Sequence, residues 1–540
     1  MLAAALPDDP LTLKALIGEL TAQLAAHEAR VAEHQDQLQQ RTAEVTAVRD
    51  VLAAREREIA RLELLIAVLR RAQFGRRSER VARNLAQCEL ALEELEAAQA
   101  EAIAVRPTVA PTPRRAPTRQ PLPSPLPRET VRQPPAATSC PACGGALRPL
   151  GEDVTELLEY VPARFKVIRI VRPKCACARC DTIVQAPAPS RPVERGLPGP
   201  GLLAHVLVGK YADHLPLYRQ SAIYAREGVE LPRSTLADWV GQASALLRPL
   251  DDALRRYVLA TPVLHGDDTP LPVLAPGTGK TATGRLWTYV RDARPAGGDA
   301  APAVWFAYSP DRKGVHPRQH LAAFTGVLQA DAYAGFGALY ETGRITHAAC
   351  WAHVRRRFYE IAQAQDSPLA QEALTRIGAL YAIEAELRGQ PPEQRRAVRQ
   401  ARAGPLLTDL HDWLEATLRT LSRKAALAEA IRYTLTLWPA LTRYCDDGRI
   451  EIDNNAAERA LRACALGRKN YLFAGADSGG ERAARCYSLI GTAKLNGLDP
   501  EAYLRHVLER IADTPVNRVA ELLPWHVAAQ LCPEPVRAAA

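Results

Sequence analysis

Four cysteines in two closely spaced pairs are the strongest chemical signal in the sequence. Each pair is a Cys-x-x-Cys unit, and four thiolates spaced in this way supply the tetrahedral sulfur ligands that Zn²⁺ prefers. Between the pairs, apolar residues alternate with polar ones over Glu156–Val171, which predicts two paired strands. We therefore predict a zinc ribbon over residues 137–187. Its ligands are Cys140, Cys143, Cys177 and Cys180.

A fifth cysteine, Cys175, lies close to the second pair. It breaks the two-residue spacing within a pair, so we interpret it as a residue that does not bind the metal. A redox-active pair is the less favoured alternative, because two such pairs in one short segment are typical of structural zinc sites.

A second signal is a set of acidic residues that follow apolar, β-rich segments. Asp267 and Asp268 follow the first such segment, Asp331 follows the fourth, and Glu458 lies in the first turn of a predicted helix. Carboxylates are preferred ligands of Mg²⁺, and two such ions can catalyse in-line phosphoryl transfer. Taken singly, each acid has a plainer explanation as a turn former, a helix cap or one half of an ion pair within a helix.

The order of the predicted elements favours a joint role for these acids. Three strands, a helix and two further strands, with acids after strands one and four, are typical of a ribonuclease-H-like fold. The predicted strands are Val263–Gly266, Arg285–Val290, Val304–Tyr308, Val327–Ala330 and Ile345–Cys350, and the helix is Pro317–Phe324.

Basic side chains accompany the helix acid and the fifth strand. Their charged groups suit DNA phosphates, although a solvated basic surface would have the same composition. The candidates for DNA contact are Arg459, Arg462, Arg468, Lys469, Arg355 and Arg356. The last two follow Cys350 and His353, which we interpret as a buried structural pair because two further zinc ligands are not evident.

One motif resembles a nucleotide-binding site but lacks features that such a site requires. Gly277-Thr-Gly-Lys-Thr281 resembles a phosphate-binding loop, but Leu274 stands where that loop needs its first glycine. The loop also needs a following helix, whereas Gly284–Val290 is predicted to be a strand. We predict a hairpin turn and no ATP binding.

The segments around these sites differ sharply in composition. Apolar residues recur every three or four positions over residues 11–71 without proline, which predicts a coiled coil. A single long helix packed on the chain's own core is the alternative. Residues 72–136 are predicted to be a helix and a disordered, Pro- and Arg-rich linker.

Residues 195–250 are predicted to be helical, with a possible DNA-binding arrangement. Tyr218–Glu227, Gly228 and a second helix capped by Ser234 resemble a helix-turn-helix. An ordinary helical hairpin is an equally favoured alternative, because this pattern is weak.

The composition is that of a globular protein with a basic surface. The chain has 540 residues, which predicts three or four domains, and 69 Lys and Arg residues against 60 Asp and Glu give a net charge of +9. This excess of positive charge, carried mostly by arginine, favours binding to phosphate groups. A GC-rich genome, which favours arginine codons, is an alternative explanation of the bias toward arginine. No run of 18 apolar residues occurs and no signal peptide is evident, so we expect a cytoplasmic protein without a membrane span.

The sequence closely resembles a DDE transposase of the insertion sequence 66 family over nearly the whole chain. The coiled coil with Phe74-Gly-Arg-Arg-Ser-Glu79, the cysteine pairs, Lys210–Arg219 and Gly284–Trp287 carry this resemblance. Its most specific motifs are Asp453-Asn-Asn-Ala-Ala-Glu458-Arg459, Gly467-Arg-Lys-Asn470 and Asn496-Gly-Leu-Asp-Pro500.

The resemblance implies an enzyme that binds the ends of its own element and catalyses metal-dependent DNA cleavage and strand transfer. It places the catalytic acids on Asp267, Asp331 and Glu458, which would hold Mg²⁺ (or Mn²⁺), while the ribbon holds Zn²⁺. The family usually shows Asp-Glu-Thr at the first site, where this chain has Asp267-Asp268-Thr269. It also implies element termini and target DNA as partners, a homo-oligomer formed through the coiled coil, accessory proteins of the same element, and association with the bacterial nucleoid.

The predicted architecture is multidomain α+β. A coiled coil, a zinc ribbon and a helical DNA-binding region precede a ribonuclease-H-like α/β core. The core spans 255–354 and 448–490 around a helical insertion at 355–447, and 491–540 is a helical segment. The alternative function is a non-catalytic zinc and coiled-coil DNA-binding regulator derived from a transposase, and a metal-dependent nuclease without joining activity is a weaker one.

Overall fold

The computed structural model describes residues 126–531 except 162–163, 194–195, 276–279 and 471–473, together with residue 122 and separate positions between 21 and 101. The chain divides into two compact units, residues 1–68 and 69–540. In the first unit, the described positions between 21 and 66 are helical. The rest of the predicted coiled coil, residues 11–20 and 67–71, lies outside the described residues.

A four-stranded sheet holds the two cysteine pairs. Its central strand β3 pairs antiparallel with β2 and β4 and parallel with β1. The strands are β1 (Arg128–Arg132), β2 (Leu147–Val161), β3 (Arg164–Cys177) and β4 (Ile183–Gln185). The strand pair predicted between the cysteine pairs is therefore confirmed, and it is longer than predicted.

Strand β1 contradicts the prediction of a disordered linker up to residue 136. Between Pro127 and Pro134 the chain carries no proline, and it includes the β-branched residues Thr130 and Val131. The backbone of β3 offers hydrogen-bonding groups along its edge, and this short run pairs with them. The linker prediction is therefore wrong for Arg128–Arg132.

Three helices follow the small sheet, as predicted. They are α1 (Pro200–Tyr211), α2 (Leu217–Arg226) and α3 (Arg233–Leu259). Gly228, between α2 and α3, has a φ of +83°, a conformation that favours glycine. The prediction that Ser234 caps α3 is wrong, because Pro232 is the N-cap residue and Ser234 lies inside the first turn.

A five-stranded sheet forms the centre of the second unit, in the order β7-β6-β5-β8-β9. Strands β5, β6 and β7 form an antiparallel meander, and β8 and β9 run parallel to β5. The strands are β5 (Val263–Ala275), β6 (Lys280–Arg291), β7 (Ala303–Ser309), β8 (Gly326–Gln329) and β9 (Ile345–Ala348). All five predicted strands are confirmed, and α4 (Val315–His320) lies between β7 and β8 where a helix was predicted.

The structure also bears on the segment Gly277–Thr281, whose sequence resembles a phosphate-binding loop. Ala275 pairs with Lys280 where the antiparallel strands β5 and β6 meet, and the predicted turn itself, residues 276–279, lies outside the described residues. A strand, β6, and not a helix follows this segment, as predicted.

Helices complete the second unit. A short helix α5 (Gly337–Tyr340) precedes β9, and six helices separate β9 from α12 and have a hydrophobic core of their own. These six are α6 (Trp351–Gln365), α7 (Pro368–Leu387), α8 (Pro392–Val398), α9 (Gly404–Thr420), α10 (Ala426–Thr436) and α11 (Trp438–Thr442). The chain then forms α12 (Asn455–Asn470), α13 (Asp477–Leu495), α14 (Pro500–Arg510) and α15 (Pro524–Leu531). Among the described helices, none has the length and apolar character needed to cross a bilayer.

A buried asparagine holds the start of α12 against the sheet. The Asn454 Nδ2 donates to the carbonyl of Gly266 at 2.9 Å, and its Oδ1 accepts from His265 Nδ1 at 3.1 Å. The backbone N–H of Asn454 donates to Cys350 Sγ at 3.1 Å. Because Asn454 is fully buried, these bonds join β5, α12 and the residue before α6 away from water.

We expect Asn454→Ala to lower the free energy of unfolding of the second unit by about 1–3 kcal/mol, because it leaves His265 and the Gly266 carbonyl without a partner. Urea unfolding followed by tryptophan fluorescence measures this change. The control is Asn470→Ala at the exposed end of the same helix, which should cost no more than about 0.5 kcal/mol. Equal effects of the two variants would contradict the role of Asn454.

Candidate functional site

The structure brings the four predicted zinc ligands together. Their ligand atoms all lie within 4.8 Å of one another. Cys143 Sγ lies 3.5 Å from Cys177 Sγ and 3.2 Å from Cys180 Sγ, and Cys140 Sγ lies 3.3 Å from Cys180 Sγ. Four sulfurs this close, without disulfides among them, suit one tetrahedral Zn²⁺.

The backbone around the cluster is adapted to its thiolates. The Arg179 N–H donates to Cys177 Sγ at 3.3 Å, and hydrogen bonds from Thr182 lower the pKa of Cys180 to about 6. Gly145 is packed so closely that a Cβ there would stand 3.0 Å from Cys177 Sγ. Cys175 lies outside the cluster and pairs with Val184 in the sheet, in agreement with its interpretation as a residue that does not bind the metal.

The two aspartates of the second candidate site lie at the same end of neighbouring parallel strands. His265 of β5 pairs with Gln329, the last residue of β8. Asp267 and Asp331 each follow two residues later. The parallel pairing therefore carries both carboxylates to one edge of the sheet, as the sequence predicted.

Asp267 and Asp268 extend to opposite faces of the sheet, because successive side chains of a strand alternate. Asp268 is almost completely buried, with 1% of its side chain exposed, and lies 3.0 Å from Arg285 Nη1. Arg312 donates to both oxygens of Asp268, from Nε at 3.1 Å and from Nη2 at 2.7 Å. Two guanidinium groups therefore bind the carboxylate of Asp268, whereas the carboxylate of Asp267 accepts the backbone N–H of Asp268 at 2.7 Å.

The third acid, Glu458, lies in the first turn of α12. Its Oε1 lies 3.7 Å from His353 Nε2, and its Oε2 lies 3.7 Å from Arg356 Nη2. Oε1 is buried and has no hydrogen-bond partner among the described residues. Asn455, the expected partner in a capping box, instead donates to Asp453 at 2.7 Å.

The pKa of Asp267 shows that the three acids influence one another. Burial, the largest cause, acts together with the negative charges of Asp331, Asp268 and Glu458 to raise this pKa to about 7. The charges of Asp331 and Glu458 therefore act on Asp267, and a cation bound beside Asp267 would offset this repulsion.

The predicted DNA-contacting residues have different environments. Arg355, Arg356, Arg459 and Arg462 are exposed. Arg468 donates to the carbonyl of Pro270 at 2.6 Å, so it also supports β5. The side chain of Lys469 lies outside the described residues.

Two residues near these acids, Arg312 and Gln329, were not predicted from the sequence. Arg312 follows β7 in a loop with no motif, and it lies 3.8 Å from Asp331 as well as beside Asp268. The fully buried Gln329 donates to the carbonyls of Glu451, at 2.5 Å, and Asp453, at 3.0 Å, which fixes the segment before α12. The only available signal for Gln329 was its position two residues before the second acid.

We expect Cys143→Ser to lose the ribbon zinc, because three thiolates bind Zn²⁺ far less tightly than four. Metal analysis of the purified protein measures the loss. Cys175→Ser is the matched control and should retain the metal. Loss of the ribbon zinc in the control would assign Cys175 to the metal site and contradict this account.

We also expect opposite effects of Asp267→Asn and Asp268→Asn on the stability of the metal-free protein at pH 8. The pKa of Asp267 is raised from 3.8 to about 7, so stability is lost as the pH rises through that interval. Asn at position 267 avoids this loss, and the melting temperature should rise. Asn at position 268 removes the partner of two arginines, and the melting temperature should fall. The reverse order would exchange the roles of the two acids.

Comparisons with known proteins agree with these features. The Transposase IS66 family matches residues 195–482, and the IS66 C-terminal element matches residues 488–525. The zinc-finger binding domain of transposase IS66 matches residues 137–181, and the Transposase C of IS166 homeodomain matches residues 61–131.

Two relatives from Sinorhizobium fredii (strain NBRC 101917 / NGR234) match most of the chain. The uncharacterized protein y4hP is 46% identical over 86% of this chain and 88% of its own length. The uncharacterized protein y4qI is 40% identical over 97% of this chain and 98% of its own length. The family match over residues 195–482 covers more than half of the sequence, so this chain belongs to the IS66 family of transposases.

Proposed function

We propose that this protein is a DNA transposase that cuts and joins DNA at the ends of its own element, with Asp267, Asp331 and Glu458 as its catalytic acids. The observation that carries the proposal is the parallel pairing of β5 and β8, which brings Asp267 and Asp331 to the same end of neighbouring strands, while the charge of Glu458 in the first turn of α12 helps to raise the pKa of Asp267. Membership of a transposase family supports DNA as the partner and polynucleotidyl transfer as the class of reaction.

The topology of the large sheet supports a ribonuclease-H-like catalytic core. An antiparallel meander of three strands, extended by two strands parallel to the first, is the arrangement that the sequence predicted for this fold. The six-helix segment from α6 to α11 would be an insertion between β9 and the catalytic helix α12.

The acidic residues fit magnesium. All three candidate ligands are carboxylates, the hard oxygen donors that Mg²⁺ prefers. Glu458 Oε1 is buried without a hydrogen-bond partner in the described part of the chain, which leaves it available as a ligand. Asp267, Asp331 and Glu458 would therefore hold Mg²⁺ (or Mn²⁺), which when bound stabilises charge on the attacking and leaving oxygens of an in-line phosphoryl transfer.

Neighbouring residues would fix these acids and bind the DNA. Arg312, held by Asp268, lies 3.8 Å from Asp331 and would restrict the orientation of that carboxylate. Arg356 is exposed beside Glu458, where its guanidinium could bind a phosphate next to the reacting one. Arg355, Arg459 and Arg462 are exposed and would contact further phosphates.

The amino-terminal segments would recognise and pair the element ends. Leu24 and Val31 lie on the predicted heptad seam, and their exposures of 61% and 54% leave apolar surface for a second helix. We propose that this seam joins subunits, so that two DNA ends lie in one complex. The zinc ribbon and the helices α2 and α3 would bind the terminal DNA.

The test is strand cleavage of a labelled duplex that carries the terminus of the encoding element, in Mg²⁺ or Mn²⁺. Glu458→Gln should lower cleavage by roughly 100-fold or more, because it removes one charged ligand at the site of reaction, and DNA binding should be retained. Glu360→Gln, an exposed glutamate on α6, is the matched control and should cleave like the wild type.

Two results would count against the proposal. Equal cleavage by the wild type and Glu458→Gln would remove Glu458 from the site. Specific binding of the terminus without cleavage, by the wild type and with the accessory proteins of the element added, would favour the non-catalytic regulator.

A further inference from the structure

Three residues with different ligand atoms converge beside the carboxylate site. Cys350 is the residue directly before α6, His353 lies in the first turn of α6, and Glu458 lies in the first turn of α12. One ligand atom from each lies within 4.8 Å of the other two. The sequence identified only the Cys-x-x-His pair, Cys350 and His353, whereas the fold also places Glu458 beside them.

The partners of these atoms resemble those of metal ligands. Cys350 Sγ is buried and accepts the N–H of Asn454 at 3.1 Å, much as Cys177 of the ribbon accepts the N–H of Arg179 at 3.3 Å. His353 Nε2 lies 3.7 Å from Glu458 Oε1. His353 Nδ1 and Glu458 Oε1 are both buried without a hydrogen-bond partner among the described residues, an arrangement that needs an explanation.

We propose that Cys350, His353 and Glu458 form a second zinc site, separate from the ribbon. A thiolate, an imidazole and a carboxylate are all ligands that Zn²⁺ accepts at tetrahedral distances. Mg²⁺ does not favour sulfur or imidazole, so this set selects a softer ion than the all-carboxylate site does. Three protein ligands leave the fourth position of the zinc for water or a phosphate oxygen.

The second zinc site shares Glu458 with the proposed magnesium site. If the proposed function is correct, as this step requires, zinc bound by Cys350 and His353 removes Glu458 from the catalytic acids. Zn²⁺ therefore inhibits Mg²⁺-dependent cleavage through this site. The zinc site itself depends only on the geometry of the three ligands.

Metal analysis tests the site without DNA. The full-length protein is saturated with Zn²⁺, freed of unbound metal and analysed for zinc. The wild type should hold about two ions per chain, one of them in the ribbon, and Cys350→Ser and His353→Gln should each hold about one. Cys445→Ser, another buried thiol, is the control and should hold about two.

One zinc per chain in the wild type, or two in both Cys350→Ser and His353→Gln, would overturn the proposal. Because Cys350→Ser could disturb the fold, His353→Gln provides a second variant, and retention of the ribbon zinc together with the melting temperature reports on folding. A Co²⁺–thiolate absorption band that requires Cys350, in protein whose ribbon is filled with Zn²⁺, would support the site directly.

Inhibition tests the consequence. Micromolar Zn²⁺ added to the Mg²⁺ cleavage assay should slow the wild type by about tenfold or more, relative to its own rate without zinc. Cys350→Ser and His353→Gln, each compared with its own zinc-free rate, should slow less than about twofold. Equal inhibition of all three proteins would overturn the inhibitory role. Absence of cleavage by every protein would count against the proposed function, while the zinc content would still report on the site.

Discussion

The hydrogen bonds of Asn454 determine where the third acid lies. Glu458 belongs to a helix that follows the sheet only after six intervening helices, so nothing in the local sequence holds it near Asp267. Asn454 positions the start of α12 against β5. Its side chain forms hydrogen bonds with His265 and with the carbonyl of Gly266, the residue directly before Asp267. Gln329 provides a parallel connection from the end of β8 to the segment before α12. Both amides are fully buried, where water cannot compete for these bonds.

Charge is distributed around the site in a consistent way. Acids that the structure uses for support are paired with arginine: Asp268 with Arg285 and Arg312, and Glu451 with Arg395 at 2.5 Å. The three proposed metal ligands lack such close pairing, and the pKa of Asp267 is raised mainly by burial. Asp267 therefore experiences a repulsion from Asp331 and Glu458 that a bound cation would relieve. The neighbouring Cys350 and His353 make the choice of cation a matter of ligand type as well as charge.

The sequence predicted the sheet because apolar runs with a period of two are local signals, and acids directly after such runs are visible without a structure. Other features depended on tertiary contacts. The resemblance already placed the catalytic role on Asp267, but the physical reason that separates it from Asp268 is Arg312, which lies in a loop without a motif. The strand Arg128–Arg132 forms because it pairs with the edge of β3. The N-cap residue of α3 is Pro232 and not the predicted Ser234. The grouping of Cys350 and His353 with Glu458 depends on the packing of α12 against the sheet, which the local sequence does not reveal.

The central claim is that three acids from separate elements bind one set of cations. Titration of the DNA-free protein with Mn²⁺, with Zn²⁺ supplied only to fill the ribbon and none at Cys350 and His353, followed by electron paramagnetic resonance, tests this most directly. The account predicts bound Mn²⁺ in the wild type and weakening of that binding by at least about tenfold in each of Asp267→Asn, Asp331→Asn and Glu458→Gln. Undiminished binding in any one of these variants, with the fold intact, would contradict a shared site.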